Sequence, residues 1–183
     1  AELISGTKIA AEIRAEVAER VSQLKADHGV TPGLAVVLVG DDPASKNYVG
    51  LKQKAAAEAG IAAGDHTMSA ETSQDELLEA VHALGEDDAV HGILVQLPLP
   101  SHIAEIAVIS AVSPMKDVDG FHPLNVGRMA IGDPLFIPCT PAGIREMLTR
   151  TDYSVDGKHA VICGRSNIVG KPMAMLLMQH APG

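Results

Sequence analysis

Tyr48 and Lys52 stand four residues apart in "SKNYVGLKQKAAAEAG", a stretch whose pattern predicts a helix, so both side chains project from one helix face. Gln96 lies at the end of the apolar run in "VHGILVQLPL", and Asp117 and Asp119 lie in "KDVDGF". Brought to one sheet edge, these residues would combine a lysine, an amide, a carboxylate and an aromatic face, a set suited to binding a polar ligand and moving protons on it. Each also has a plainer reading. A Tyr/Lys pair at this spacing is an ordinary surface pair, and "DVDG" is an ordinary turn. Lys54, two positions from Lys52, falls on another face and reads as solvated. His91 and His122 are candidate ligands or acid/base groups, but no partner spacing supports a metal site.

A second candidate is "GRSNIVGKP", Gly164 to Pro172. A phosphate-binding P-loop needs four residues between its glycines and then Lys with Ser or Thr; here five residues separate Gly164 from Gly170, and Pro172 takes the Ser/Thr position. The dinucleotide fingerprint G-x-G-x-x-G is also absent, since Ser166 stands where its second glycine belongs. The context still favours an anion. "KHAVICG" predicts a buried strand ending at Gly164, and "IVGKPMAMLLMQ" predicts a helix, so the turn would aim backbone N–H groups and the positive end of a helix dipole outward. Arg165 adds a fork of donors suited to the 2′-phosphate of NADP, with Ser166 and Asn167 beside it. The alternative is a strand-to-helix turn with a solvated arginine.

The elements needed to position these groups follow from periodicity. Ile9, Ile13, Val17, Val21 and Leu24 recur at helical spacing. "LAVVLVG" (Leu34 to Gly40) is a continuous apolar run of the kind found in a parallel strand buried on both faces. Asp41, Asp42, Pro43 and Ser45 supply cap and first-turn chemistry for the Tyr48/Lys52 helix, which Gly60 closes. "SQDELLEAVHALGED" predicts another helix, and "VHGILVQLPL" (Val90 to Leu99) a second buried strand. Alternation of strand and helix argues for a parallel sheet with helices on both faces, and open α/β sheets bind ligands beyond the carboxyl ends of their strands. "ISAVSPMKDVDGFHPLNVGRMAIGDPLFIPCTP" reads as a long functional loop, and "PAGIREMLTR" (Pro141 to Arg150) as a helix.

Composition narrows the function classes. The 183 residues are 46% hydrophobic, enough for a sizeable core in one domain or one domain and part of another. With two Phe, two Tyr and no Trp, that core must be aliphatic. A net charge of −9, with no basic run interleaved with aromatics, argues against nucleic-acid binding. No basic-then-apolar leader is read at the start, and no apolar run reaches the about 18 to 20 residues needed to span a bilayer. The expectation is a soluble cytoplasmic protein. Cys139 and Cys163 lie in unrelated contexts and are expected to be buried thiols.

Taken together, "VGDDPASKNYVGLKQKAAAEAGI", "HGILVQLPLP", "PMKDVDGFHPLNVGRM", "PCTPAGI" and "GRSNIVGKP" resemble the bifunctional methylenetetrahydrofolate dehydrogenase/methenyltetrahydrofolate cyclohydrolase family, over nearly the whole chain. The resemblance implies a three-layer αβα folate-binding catalytic domain over 1–138 and the beginning of a Rossmann-like NADP-binding domain over 139–183. It implies NADP-dependent oxidation of 5,10-methylenetetrahydrofolate and hydrolysis of the methenyl product to 10-formyltetrahydrofolate, in one cleft, by a homodimer. Lys52 would assist proton transfer, which near neutral pH requires a pKa lowered by burial or by neighbours. Gln96 would orient it, Tyr48 would stack along the folate, and Asp119 would anchor the pterin ring, with Val95 and Leu97 beside Gln96 among the substrate-binding residues. Gly164, Arg165 and Ser166 would bind NADP phosphates.

Family members continue beyond the position matching Gly183, through further strand-helix units. The sequence therefore reads as a truncated form expected to bind NADP weakly and to expose the apolar face of "MAMLLM". A monofunctional dehydrogenase of the same fold, or a non-catalytic folate- or nucleotide-binding module, are the alternatives. Lys52 and Gln96 argue for the hydrolytic chemistry.

Overall fold

The structure is a computed structural model that describes residues 3–151 and 153–179. Its elements are α1 (Gly6–His28), β1 (Gly33–Val39), α2 (Pro43–Glu58), β2 (Ala62–Met68), α3 (Gln74–Glu86), β3 (Gly92–Val95), α4 (Glu105–Ala111), α5 (Pro123–Ala130), α6 (Cys139–Thr149) and α7 (Gly170–Leu177). The chain divides into two compact units, one of residues 13–117 and one of the described residues of 1–12 and 118–183.

The first unit is a parallel α/β layer structure. Its sheet has the order β2-β1-β3, with β1 parallel to both neighbours, Leu34 opposite Ala63 on one side and Gly92 on the other. Residues Ala35 to Val39 are each at most 5% exposed, because a central parallel strand is covered on both faces; this explains its unbroken apolar run. On one face Ala35, Val37 and Val39 pack with Ile93 and Val95 of β3, with Leu77, Val81 and Leu84 of α3, and with Val108 of α4. Val36 and Leu38 alternate to the opposite face and are equally buried.

Helix starts follow local chemistry. The Asp42 carboxylate accepts from Ser45 N–H at 2.8 Å with Pro43 in the first turn, as expected from "DDPAS". Ser73 and Glu76 form a capping box: Ser73 Oγ accepts from Glu76 N–H, and Glu76 accepts from Ser73 N–H at 2.8 Å. These bonds hold both carboxyls below their ordinary range, the Ser45 N–H lowering Asp42 and the Ser73 N–H lowering Glu76. His91 Nδ1 accepts from Gly33 N–H at 3.0 Å, so this histidine secures the start of β1.

In the second unit α7 packs against α5 and α6. His122 Nδ1 accepts from Leu124 N–H at 3.0 Å and caps α5, and Gln179 Nε2 donates to Met129 O at 2.6 Å. A Cβ on Gly120, whose φ is +66°, would meet the Ile137 carbonyl carbon at 3.0 Å, so glycine is required where "DVDG" crosses the Phe136–Pro138 backbone.

Several expectations are corrected. Residues 158–164 form no strand and are exposed: β-branched residues hold an extended ladder only against a paired neighbour, and no described segment pairs with them. Conversely β2 was not expected, since "AAGDHTM" lacks an apolar pattern; it forms because β1 offers it a free edge. The segment 109–141 is not one long loop: it takes in the end of α4, all of α5 and the start of α6. Cys139 and Cys163 are exposed rather than buried, Cys139 because it begins α6 and Cys163 because its segment has no sheet to enter.

Candidate functional site

Within the first unit, α2 leaves the carboxyl end of β1 and carries Tyr48 and Lys52 on consecutive turns. The half-buried Lys52 donates from Nζ to Gln96 Oε1 at 3.1 Å. Gln96 follows the last residue of β3 and is tied to the sheet by its own N–H, which donates to Val37 O at 2.8 Å. Its Nε2 donates to Leu97 O at 2.6 Å. That second bond fixes the amide's orientation: with the NH2 group committed to a carbonyl, the oxygen is the end that faces the ammonium. Tyr48 is 59% exposed, its ring open to solvent one turn before Lys52. Val95 is 8% exposed and sits in the core, and Leu97 is half-buried. Lys54 is exposed to solvent as expected, its Nζ 4.0 Å from Glu58 Oε1.

Asp117 is 4% exposed and pairs through its backbone with Ile93, adding a short bridge beside β3. Asp119 belongs to the second unit. There Cys139 Sγ lies 3.9 Å from Asp119 Oδ1 and 3.7 Å from Val118 O. Nothing in the spacing of "DVDG" and "PCTP" signalled this neighbour.

The Gly164–Gly170 turn is tight. A Cβ on Gly170 would stand 2.6 Å from Gly164 O and 2.9 Å from Arg165 N, so the two segments meet backbone to backbone. Ser166 Oγ accepts from Val169 N–H at 3.1 Å and from Gly170 N–H at 3.2 Å. Two N–H groups expected to face an anion are therefore already engaged by Ser166. Arg165 and Ser166 are exposed, and Lys171 Nζ donates to Asn167 Oδ1 at 2.6 Å. Lys171 occupies the lysine position of the failed P-loop pattern; the signal that marks it is charge, since 157–183 contains no Asp or Glu. Among the described residues no group of three or more His, Cys, Asp or Glu could hold a metal ion, and no helix is long and apolar enough to cross a membrane.

The arrangement is that of a parallel α/β protein with polar groups gathered beyond the ends of its strands. The chain belongs to the tetrahydrofolate dehydrogenase/cyclohydrolase family: the family's catalytic-domain model matches residues 4–119 and its NAD(P)-binding-domain model residues 138–182. The bifunctional protein FolD of Magnetococcus marinus is 58% identical over 182 residues, covering 99% of this chain and 64% of that protein. FolD of Geobacillus thermodenitrificans is 57% identical with the same coverage. The chain thus spans 64% of the length of these relatives. Among solved structures, the FolD dehydrogenase/cyclohydrolase of Campylobacter jejuni superposes with a TM-score of 0.94 at 46% identity, over 97% of this chain and 63% of that one. The Trypanosoma brucei enzyme, solved with NADP and an inhibitor, gives 0.93 at 38%, over 97% and 61%. The NAD-dependent dehydrogenase of Saccharomyces cerevisiae gives 0.81 at 26%, over 94% and 59%.

Proposed function

We propose that this protein oxidises 5,10-methylenetetrahydrofolate with NADP and hydrolyses the methenyl product to 10-formyltetrahydrofolate. The observation that carries this reading is the Lys52 Nζ to Gln96 Oε1 contact of 3.1 Å at the strand edge. In the hydrolysis, water adds its oxygen to the methenyl carbon, the carbon–N5 bond breaks, and a proton must pass from water to nitrogen. Lys52 relays that proton at Nζ, and Gln96 holds Nζ in place because its amide is anchored at the other end on Leu97 O. Tyr48 lends its exposed ring to the pterin, and Asp119 accepts from the pterin's N–H groups. Val95 and Leu97 complete the substrate contacts.

Bound NADP supplies the hydride acceptor for the oxidation. Gly164, Arg165 and Ser166 hold its phosphates, a role that suits their chemistry: an exposed guanidinium, a hydroxyl with a proton to donate, and a glycine with open space where a side chain would stand. The function divides as 1–138 for folate and catalysis and 139–183 for the cofactor, and the protein acts as a cytoplasmic homodimer. The family's shared activities and the relatives' names support the reading.

The test is a spectrophotometric assay with methylenetetrahydrofolate and NADP on the purified protein and its Lys52→Met variant. Loss of methenyl hydrolysis with NADPH formation retained supports the reading. Equal loss of both activities in a folded variant sinks the role given to Lys52, and ligand binding without turnover in the parent favours a binding module.

A further inference from the structure

We infer that Lys171 is a second cation for the 2′-phosphate of the cofactor, acting beside Arg165 and aimed by Asn167; this rests on the dinucleotide reading of the Gly164–Gly170 turn and deepens it. The chain's net charge is −9, yet residues 157–183 hold none of the 23 Asp and Glu while containing Lys158, Arg165 and Lys171. Among the described residues neither Arg165 nor Lys171 is in an ion pair with a carboxylate. Cations left uncompensated on one turn of an acidic protein mark a place prepared for an anion.

The backbone puts the two cations together. Gly170 lies so close to Arg165 that an added Cβ would stand 2.9 Å from Arg165 N, and the next residue, Lys171, donates its N–H to Ser166 O at 3.0 Å. The side chain is held as well: Lys171 Nζ donates to Asn167 Oδ1 at 2.6 Å, leaving its other ammonium protons to a ligand. Helix N–H groups cannot take over this task at Val169 and Gly170, because both already donate to Ser166 Oγ. With its lone pairs so occupied, the Ser166 hydroxyl has only a proton to offer, which again selects a ligand that accepts. A 2′-phosphate accepts and is anionic, whereas the 2′-hydroxyl of NAD is neutral. Similar folds occur in a structure solved with NADP and in an NAD-dependent enzyme, so the choice between them falls to side chains such as these.

Calorimetric titration of the protein with NADPH and with NADH, for wild type, Lys171→Gln, Lys171→Arg and Asn167→Ala, tests this. Lys171→Gln is expected to weaken NADPH about five- to tenfold while leaving NADH within about twofold, and to flatten the salt dependence of NADPH binding. Lys171→Arg restores NADPH affinity, and Asn167→Ala gives a smaller loss of the same selectivity. Equal weakening of both cofactors would assign Lys171 to the shared pyrophosphate or to the fold, and no change would leave it a surface residue; either overturns the inference alone. Wild type that binds neither cofactor removes the dinucleotide reading and this inference with it.

Discussion

Lys52 and Gln96, 44 positions apart in the chain, meet at 3.1 Å, the ammonium donating to an amide oxygen whose partner nitrogen is fastened to Leu97 O. The bond joins the first helix after β1 to the end of β3. The position of the lysine amine is thereby set by the sheet rather than by the rotamers of a long, flexible side chain. Gln96→Leu keeps the bulk and removes the acceptor. Methenyl hydrolysis is expected to fall about 100-fold or more in this variant, the scale of a mispositioned proton-transfer group. Dehydrogenase turnover measured on the same sample should change far less; parallel loss would mean that Gln96 supports the fold instead.

Gly170→Ala forces a Cβ to within 2.6 Å of Gly164 O, and the obstacle is backbone, which cannot swing away. Overpacking of this kind costs about 1–3 kcal/mol, so the thermal midpoint should drop and NADPH binding should weaken with it. A variant with wild-type midpoint and affinity would show that the two segments do not meet as described.

Leu77 is fully buried between α3 and the sheet. Truncation in Leu77→Ala removes its contacts and leaves a cavity, with an expected loss of about 2–5 kcal/mol in denaturant unfolding. A loss below that range would place the residue nearer the surface.

Acid should loosen α2 and α3 at their starts. Asp42 and Glu76 have pKa values lowered in the folded chain by the N–H groups they accept, so each contributes stability that is present above its ordinary pKa, 3.8 for Asp42 and 4.5 for Glu76, and is lost as pH falls below it. Helical circular dichroism followed from neutral pH downward should fall over that range. Ser73→Ala removes the hydroxyl that caps the first turn of α3 and also bonds Glu76, while the Ser73 N–H that Glu76 accepts remains, so α3 should be weaker already at neutral pH and its acid-dependent loss smaller; a profile unchanged at every pH would discount the capping box.

What the sequence made legible depended on burial. β1 was readable because a strand covered on both faces must be apolar throughout, and α2 because its cap, its glycine stop and its polar face agree. The facing of Tyr48 and Lys52 followed from helical geometry, and the place of Gln96 from the end of an apolar run. Contacts between distant segments were not readable. The Cys139–Asp119 approach and the engagement of Ser166 Oγ with Val169 and Gly170 depend on backbone paths that periodicity does not encode. Residues 158–164 show the converse failure, strand-forming side chains without a partner strand.

β2 carries Asp65 and His66 on an exposed surface, Asp65 accepting from Thr67 Oγ1 at 2.7 Å, and its only sheet neighbour among the described residues is β1. The outer rim of a sheet is a template onto which a strand from another molecule can add, and charge along that rim opposes such growth because the incoming strand would have to desolvate it. The polar residues that hid β2 from a search for apolar patterns, Asp65 foremost, thus also make that rim a poor template for edge-to-edge growth.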